Sequence, residues 1–119
     1  MKGLRAKTVL VTGGGGAIGG AICRRFAEEG ANVLVADKDA VSAGKVAQSI
    51  DAKSLVFDIS DYAAAKRADR SSAQLALILG DDELQAETVA VKPLRTEANQ
   101  ETILQSELAQ WLMRFIEAN

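Results

Sequence analysis

The chain has 119 residues, 48% of them hydrophobic and 4% aromatic, with a formal net charge of −2 and an isoelectric point near 5.1. That length and composition predict one domain, residues 1–119, with an aliphatic core. An acidic chain has no general attraction for nucleic acid or anionic membranes, and no apolar run approaches the ~20 residues of a membrane span, so neither partner is expected.

The N-terminal apolar run is too short for a signal peptide and reads as a strand, so a soluble, cytoplasmic-type protein is expected. Cys23 is the single cysteine, which excludes an intramolecular disulfide. It lies next to Ile22 and is expected to be a small packed side chain. The sequence has no histidine, which removes the commonest metal ligand and the commonest general base, and no metal site is expected.

Residues 8–11 are β-branched or aliphatic and predict a short buried strand. The run breaks at Thr12 into Gly13, Gly14, Gly15 and Gly16. Ile18, Ala21, Ile22 and Phe26 then recur at helical spacing, and Gly30 provides the stop. Residues 32–37 (NVLVAD) predict a second strand, 40–50 a weaker helix, and 54–59 (SLVFDI) a third strand. Ser60 reads as the N-cap of an alanine-rich helix over 61–71. Residues 74–79 (QLALIL) predict a fourth strand stopped by Gly80, followed by a single helical turn over 81–85. Residues 88–94 alternate and contain Pro93, which marks a strand end or an edge strand. A polar loop over 95–100 leads to a short strand at 101–104. Leu108, Trp111, Leu112, Phe115 and Ile116 fall at i, i+3, i+4, i+7 and i+8, the clearest amphipathic helix in the chain. That spacing favours core packing over a base-stacking role for Trp111 and Phe115.

The stretch KTVLVTGGGGAIGG, residues 7–20, is the candidate ligand site. A buried strand runs into a glycine turn and then into a helix N-terminus. Glycine lets the turn be tight and brings backbone N–H groups against a ligand, and the helix start favours an anion, so the arrangement suits a pyrophosphate. Asp37 ends the second strand, where a carboxylate can reach ribose hydroxyls.

Residues 1–65 resemble the short-chain dehydrogenase/reductase family. The resemblance is carried by TGGGGAIG at residues 12–19, by Asp37, and by FDISD at residues 57–61. The family pattern is Thr-Gly, three residues, Gly, one residue, Gly, and Ala17 stands at the middle glycine. The resemblance implies a dinucleotide site formed by Gly13, Gly15, Gly16, Ile18 and Gly19, with Asp37 on the adenosine ribose and Asp58 and Ile59 along the adenine. A carboxylate at residue 37 implies NAD over NADP. The family's Asn-Ala-Gly turn and its later serine, tyrosine and lysine elements do not follow. Instead KRADRSSAQLALILGDDELQAETVAVKPLRT, residues 66–96, resembles the C-terminal anticodon-binding domain of histidyl-tRNA synthetases, a similarity that continues to residue 119. Only the later part of that domain is represented.

Two such parents joined within one α/β core, near residues 63–66, imply an engineered chimera. Both alternate strands and helices in parallel units, so a helix is a natural splice point. The expected fold is an α/β, Rossmann-like three-layer α/β/α sandwich. Its mostly parallel sheet has the order 3-2-1-4-5, a candidate sixth strand and an antiparallel edge hairpin.

Tyr62 and Lys66, with Ser49 thirteen positions before the tyrosine, imitate the family's catalytic spacing. The third strand separates Ser49 from Tyr62 and is expected three positions from strand four, roughly 14 Å at about 4.8 Å per strand. No catalytic residues are therefore assigned. The expected function is that of a chimera without native catalysis, with weak residual NAD or adenine-nucleotide binding as the alternative. Three carboxylates after strand four, Asp81, Asp82 and Glu83, are expected to repel a pyrophosphate. tRNA binding is disfavoured by the acidic charge and the lack of a basic cluster.

Overall fold

A computed structural model describes residues 7–56, 73–93 and 99–118. The helix expected over 61–71, its Ser60 cap, the splice region, Tyr62, Lys66, Asp58 and Ile59 lie outside the described residues. Among the described residues no helix is long and apolar enough to cross a membrane.

Six strands form one sheet: β1 (Thr8–Thr12), β2 (Asn32–Asp37), β3 (Lys53–Val56), β4 (Leu75–Ile78), β5 (Thr88–Pro93) and β6 (Glu101–Leu104), in the order β3-β2-β1-β4-β5-β6. The pairs β1–β2, β1–β4 and β2–β3 are parallel, whereas β4–β5 and β5–β6 are antiparallel. The expected insertion of the fourth strand beside the first is observed, with Val9 opposite Leu75 and Val11 opposite Leu77. The sixth strand forms and closes the expected hairpin with β5. Pro93 ends β5, where the missing N–H interrupts no further ladder.

Strand alternation divides the core. Val9, Val11, Val33, Val35, Leu75, Leu77, Val89 and Val91 face one side, where they pack with Cys23 and Phe26 of α1 (Ala17–Glu28) and Ala43, Val46 and Ala47 of α2 (Ala40–Ser49). Trp111 and Leu112 of the C-terminal helix, here α4 (Leu108–Ala118), join the same cluster. Trp111 and Leu112 of the amphipathic stripe are thus core, with Leu108 and Phe115 packed against them, as the spacing predicts. Trp111 stacks on Phe115 with ring centroids 5.3 Å apart, and its indole N–H donates to Glu101 at the start of β6. Leu10, Leu34, Ala36 and Ala76 are buried on the opposite face. All of the longer described helices contribute to the first face.

Helix ends follow local chemistry. After α1, Gly30 takes φ +90°, and the Gly30 and Ala31 amides donate to the Ala27 and Phe26 carbonyls, which closes the helix. At the start of α2, Asp39 accepts from the amides of Val41 and Ser42 and from the Ser42 hydroxyl at 2.7 Å. These bonds, the Ser42 hydroxyl first, hold the Asp39 carboxyl below its ordinary range. A carboxyl depressed in the folded state contributes stability above its unfolded value and loses it as pH falls through the folded value. Acidification below the ordinary carboxylate range is therefore expected to loosen α2. Asp39→Ala should lower the melting temperature at neutral pH and flatten that acid limb, as read by circular dichroism melts across pH.

Candidate functional site

The ends of β1, β2 and β4 converge where the sheet order switches, at the carboxyl edge of the strands. The glycine turn is pinned between its neighbours. The Gly14 amide donates to the Ala36 carbonyl at 2.9 Å, and the Leu79 amide donates to the Thr12 carbonyl at 3.2 Å. The buried Thr12 hydroxyl donates to the Leu77 carbonyl at 3.4 Å. Gly13 takes φ +74°, and a Cβ there would lie 2.3 Å from the Leu79 carbonyl oxygen. Only glycine satisfies both the left-handed backbone and this close crossing of β1 and β4.

A cleft of about 160 Å³ opens at this point. Gly13, Gly16 and Asp37 of the sequence-assigned residues line it, together with Asp81, Leu79 and Leu84 from the segment after β4. Gly15, Ile18 and Gly19 lie beside it without lining it. Gly19 is buried against the turn, where a Cβ would meet the Gly13 carbonyl oxygen at 2.1 Å, and Ile18 is exposed. Ala17, at the middle glycine position, is also exposed at the first residue of α1, so its methyl clashes with nothing in the fold.

Asp37 ties two loops together. Its Oδ2 accepts from the Gly15 amide at 3.1 Å, and its Oδ1 accepts from the Asp39 amide at 3.1 Å. The Gly16 amide donates to the Gly13 carbonyl at 3.3 Å. The amides of Gly14, Gly15 and Gly16 are thus all committed within the chain. Among the described residues, the donors left for an anion are the Lys38 ammonium and the first turn of α1, whose leading amides have no acceptor inside the helix. Each Asp37 oxygen keeps a further lone pair and can still accept from a hydroxyl.

The acidic segment differs from its sequence expectation. Of Asp81, Asp82 and Glu83, Asp81 alone lines the cleft. Glu83 turns back and accepts from the Gly80 amide at 3.0 Å, closing the start of the short helix α3 (Asp81–Ala86). A helix start has amides in need of acceptors, and a glutamate three residues in is the right length to supply one. Leu79, Gly80 and Leu84 were not assigned from sequence. The stop after the fourth strand was the one available signal that this loop reaches the same edge.

Two side chains take no part. Cys23 is buried with its Sγ 4.0 Å from the Gly14 carbonyl, and burial pushes its thiol pKa up to about 12, which leaves it inert. Ser49 sits in the last turn of α2, its hydroxyl donating to the Val46 carbonyl at 2.6 Å. Among the described residues, no group of three or more cysteine or acidic side chains is placed to hold a metal.

The residues present fit a sugar-sized group better than a whole dinucleotide. Pockets that enclose such large ligands run to about 300–1,000 Å³, and the turn's own amides are already occupied.

The family model for short chain dehydrogenases matches residues 7–78, and that for an anticodon binding domain matches residues 63–114. The uncharacterized oxidoreductase YuxG of Bacillus subtilis (strain 168) is 53% identical over 45 residues, covering 38% of this chain and 6% of that protein. The histidine–tRNA ligase of Legionella pneumophila (strain Lens) is 45% identical over 51 residues, covering 43% of this chain and 12% of that one. A solved 3-ketoacyl-(acyl-carrier-protein) reductase from Brucella melitensis, complexed with NADH, superposes with a TM-score of 0.52 at 35% identity over 58% of this chain and 29% of its own. The chain therefore spans small parts of the relatives it matches. It belongs to the short chain dehydrogenase family, as a chimera whose C-terminal part is that of an anticodon binding domain.

Proposed function

We propose that this chain is an engineered recombination of two α/β folds into one sheet, without native catalysis. The observation that carries the reading is the composition of the cleft. Thr12, Gly13, Gly16 and Asp37 come from the dehydrogenase part, and Leu79, Gly80, Asp81 and Leu84 come from the part matched by the anticodon model alone. The wall following strand four is thus supplied by a parent with no hydride chemistry to perform. Among the described residues lining the cleft there is no serine or tyrosine to stand beside Lys38, and proton transfer to a reacting carbonyl requires such a group within hydrogen-bond reach. NADH oxidation with a panel of ketones and aldehydes is the test. Rates at the no-protein background support the reading, and enzyme-dependent turnover overturns it.

A second reading rests on Gly13, Gly16 and Asp37 lining one cleft, and on the likeness to a reductase complexed with NADH. In it, the cleft keeps the ribose-facing remnant of a nucleotide site and holds adenine nucleotides weakly. Titration with millimolar NAD, followed by protein NMR, should shift the amides of residues 13–19 and 37. No shift with NAD, and none with adenosine in its place, at that concentration would remove this reading and leave the first standing. A gel-shift at low salt is expected to show no tRNA retardation.

A further inference from the structure

We infer, resting on that second reading, that Asp81 is a charge filter: the cleft takes an uncharged ribosyl ligand, adenosine being the probe, in preference to the same group bearing phosphate. Among the described residues, the ionisable side chains lining the cleft are Asp37, Lys38 and Asp81. Asp37 and Lys38 are adjacent and offset one another in formal charge, so Asp81 leaves the cleft net negative. The hydrogen-bonding inventory points the same way. The Gly14, Gly15 and Gly16 amides, which would counter a phosphate, are spent on Ala36, Asp37 and Gly13. Asp37 retains acceptor capacity suited to sugar hydroxyls. Ala36, Leu79 and Leu84 supply an apolar wall for the flat faces of a sugar or base. The first turn of the short helix α3 carries Asp81, Asp82 and Glu83, which oppose an anion, and its Gly80 amide is already bound to Glu83. A ligand that brings hydroxyl donors without negative charge meets carboxylate acceptors and an apolar wall, whereas a phosphate sets Lys38 and the first-turn amides of α1 against Asp37 and Asp81.

The full chain, labelled with nitrogen-15, is titrated with adenosine, AMP and NAD at low ionic strength. Adenosine is expected to shift the amides of Gly13, Gly16 and Asp37 in the millimolar range. AMP should bind about fivefold more weakly, the factor that a unit-charge repulsion across a cleft of this size gives. Asp81→Asn should bring the two ligands to within about twofold. On the unaltered chain, 0.15 M salt should narrow the same gap, because screening weakens repulsion at this range; that measurement does not depend on the variant folding. AMP or NAD binding as tightly as adenosine, or a gap unmoved by both Asp81→Asn and salt, overturns the filter while the nucleotide-remnant reading survives. Silence with all three ligands overturns both.

Discussion

Gly19→Ala is expected to cost about 3 kcal/mol, the upper end of what overpacking usually costs, and to leave a substantial fraction of the chain unfolded in mild denaturant. Helix propensity alone argues the opposite, since alanine is better than glycine inside a helix by about 1 kcal/mol. The contact decides the sign. A Cβ on Gly19 would lie 2.1 Å from the Gly13 carbonyl oxygen and 2.9 Å from the Gly14 Cα. Both are backbone atoms, and neither can rotate aside as a side chain would. The turn is held by the Gly14–Ala36 hydrogen bond on one flank and by the crossing of Gly13 over Leu79 on the other. Relief therefore requires α1 to lift from the sheet, and Cys23 and Phe26 would lose their burial with it. Gly44 is the internal control. It lies within α2, and a Cβ there meets nothing within 4 Å. Gly44→Ala should stabilise by roughly 0.5–1 kcal/mol. Urea denaturation of both variants, followed by circular dichroism and Trp111 fluorescence, reads the contrast. Stabilisation at both positions would mean that α1 is not seated on the glycine turn.

The same glycine stretch marks where the sequence was readable and where it was not. Runs such as TVLVT and NVLVAD declare buried strands because a parallel strand covered on both faces needs apolar side chains in succession. The helix ending at Gly30 and the stripe of α4 were equally plain. An amphipathic stripe reveals that a face must be buried, but not against which surface. That α4 joins α1 and α2 on one side of the sheet had to come from three dimensions. The site was legible as a place rather than as a bonding pattern. Glycine permits a tight turn, but composition does not say where its amides point, and here the Gly15 amide is directed at Asp37 itself. The acidic run was legible only in part, for a related reason. Three neighbouring carboxylates look alike in sequence, yet the helix start recruits Glu83 as its own acceptor and leaves Asp81 to face the cleft.

Leu77→Ala is expected to cost about 2–5 kcal/mol, a large part of the 5–15 kcal/mol that typically holds a domain together. Its larger interest is where the loss is shared. The two family models overlap over residues 63–78, and β4 lies inside that overlap. This strand satisfies both parents: it sits in parallel register with β1 on the dehydrogenase side and in antiparallel register with β5 on the other. Leu77 is opposite Val11 in one pairing and opposite Val91 in the other, and all three are fully buried on the face covered by the helices. Removing its side chain leaves a cavity bordered by residues of both parents. Double-mutant cycles of Leu77→Ala with Val11→Ala, and of Leu77→Ala with Val91→Ala, should each give a coupling of about 0.5–3 kcal/mol. Val11 and Val91 do not pair directly, so their own cycle should be closer to additive. Coupling on both flanks means that the splice produced one cooperative core, with β4 as the element that either parent would have placed there. Additivity on the β5 flank, with coupling on the β1 flank alone, would mean that the anticodon-derived hairpin is attached to the sheet without sharing its packing.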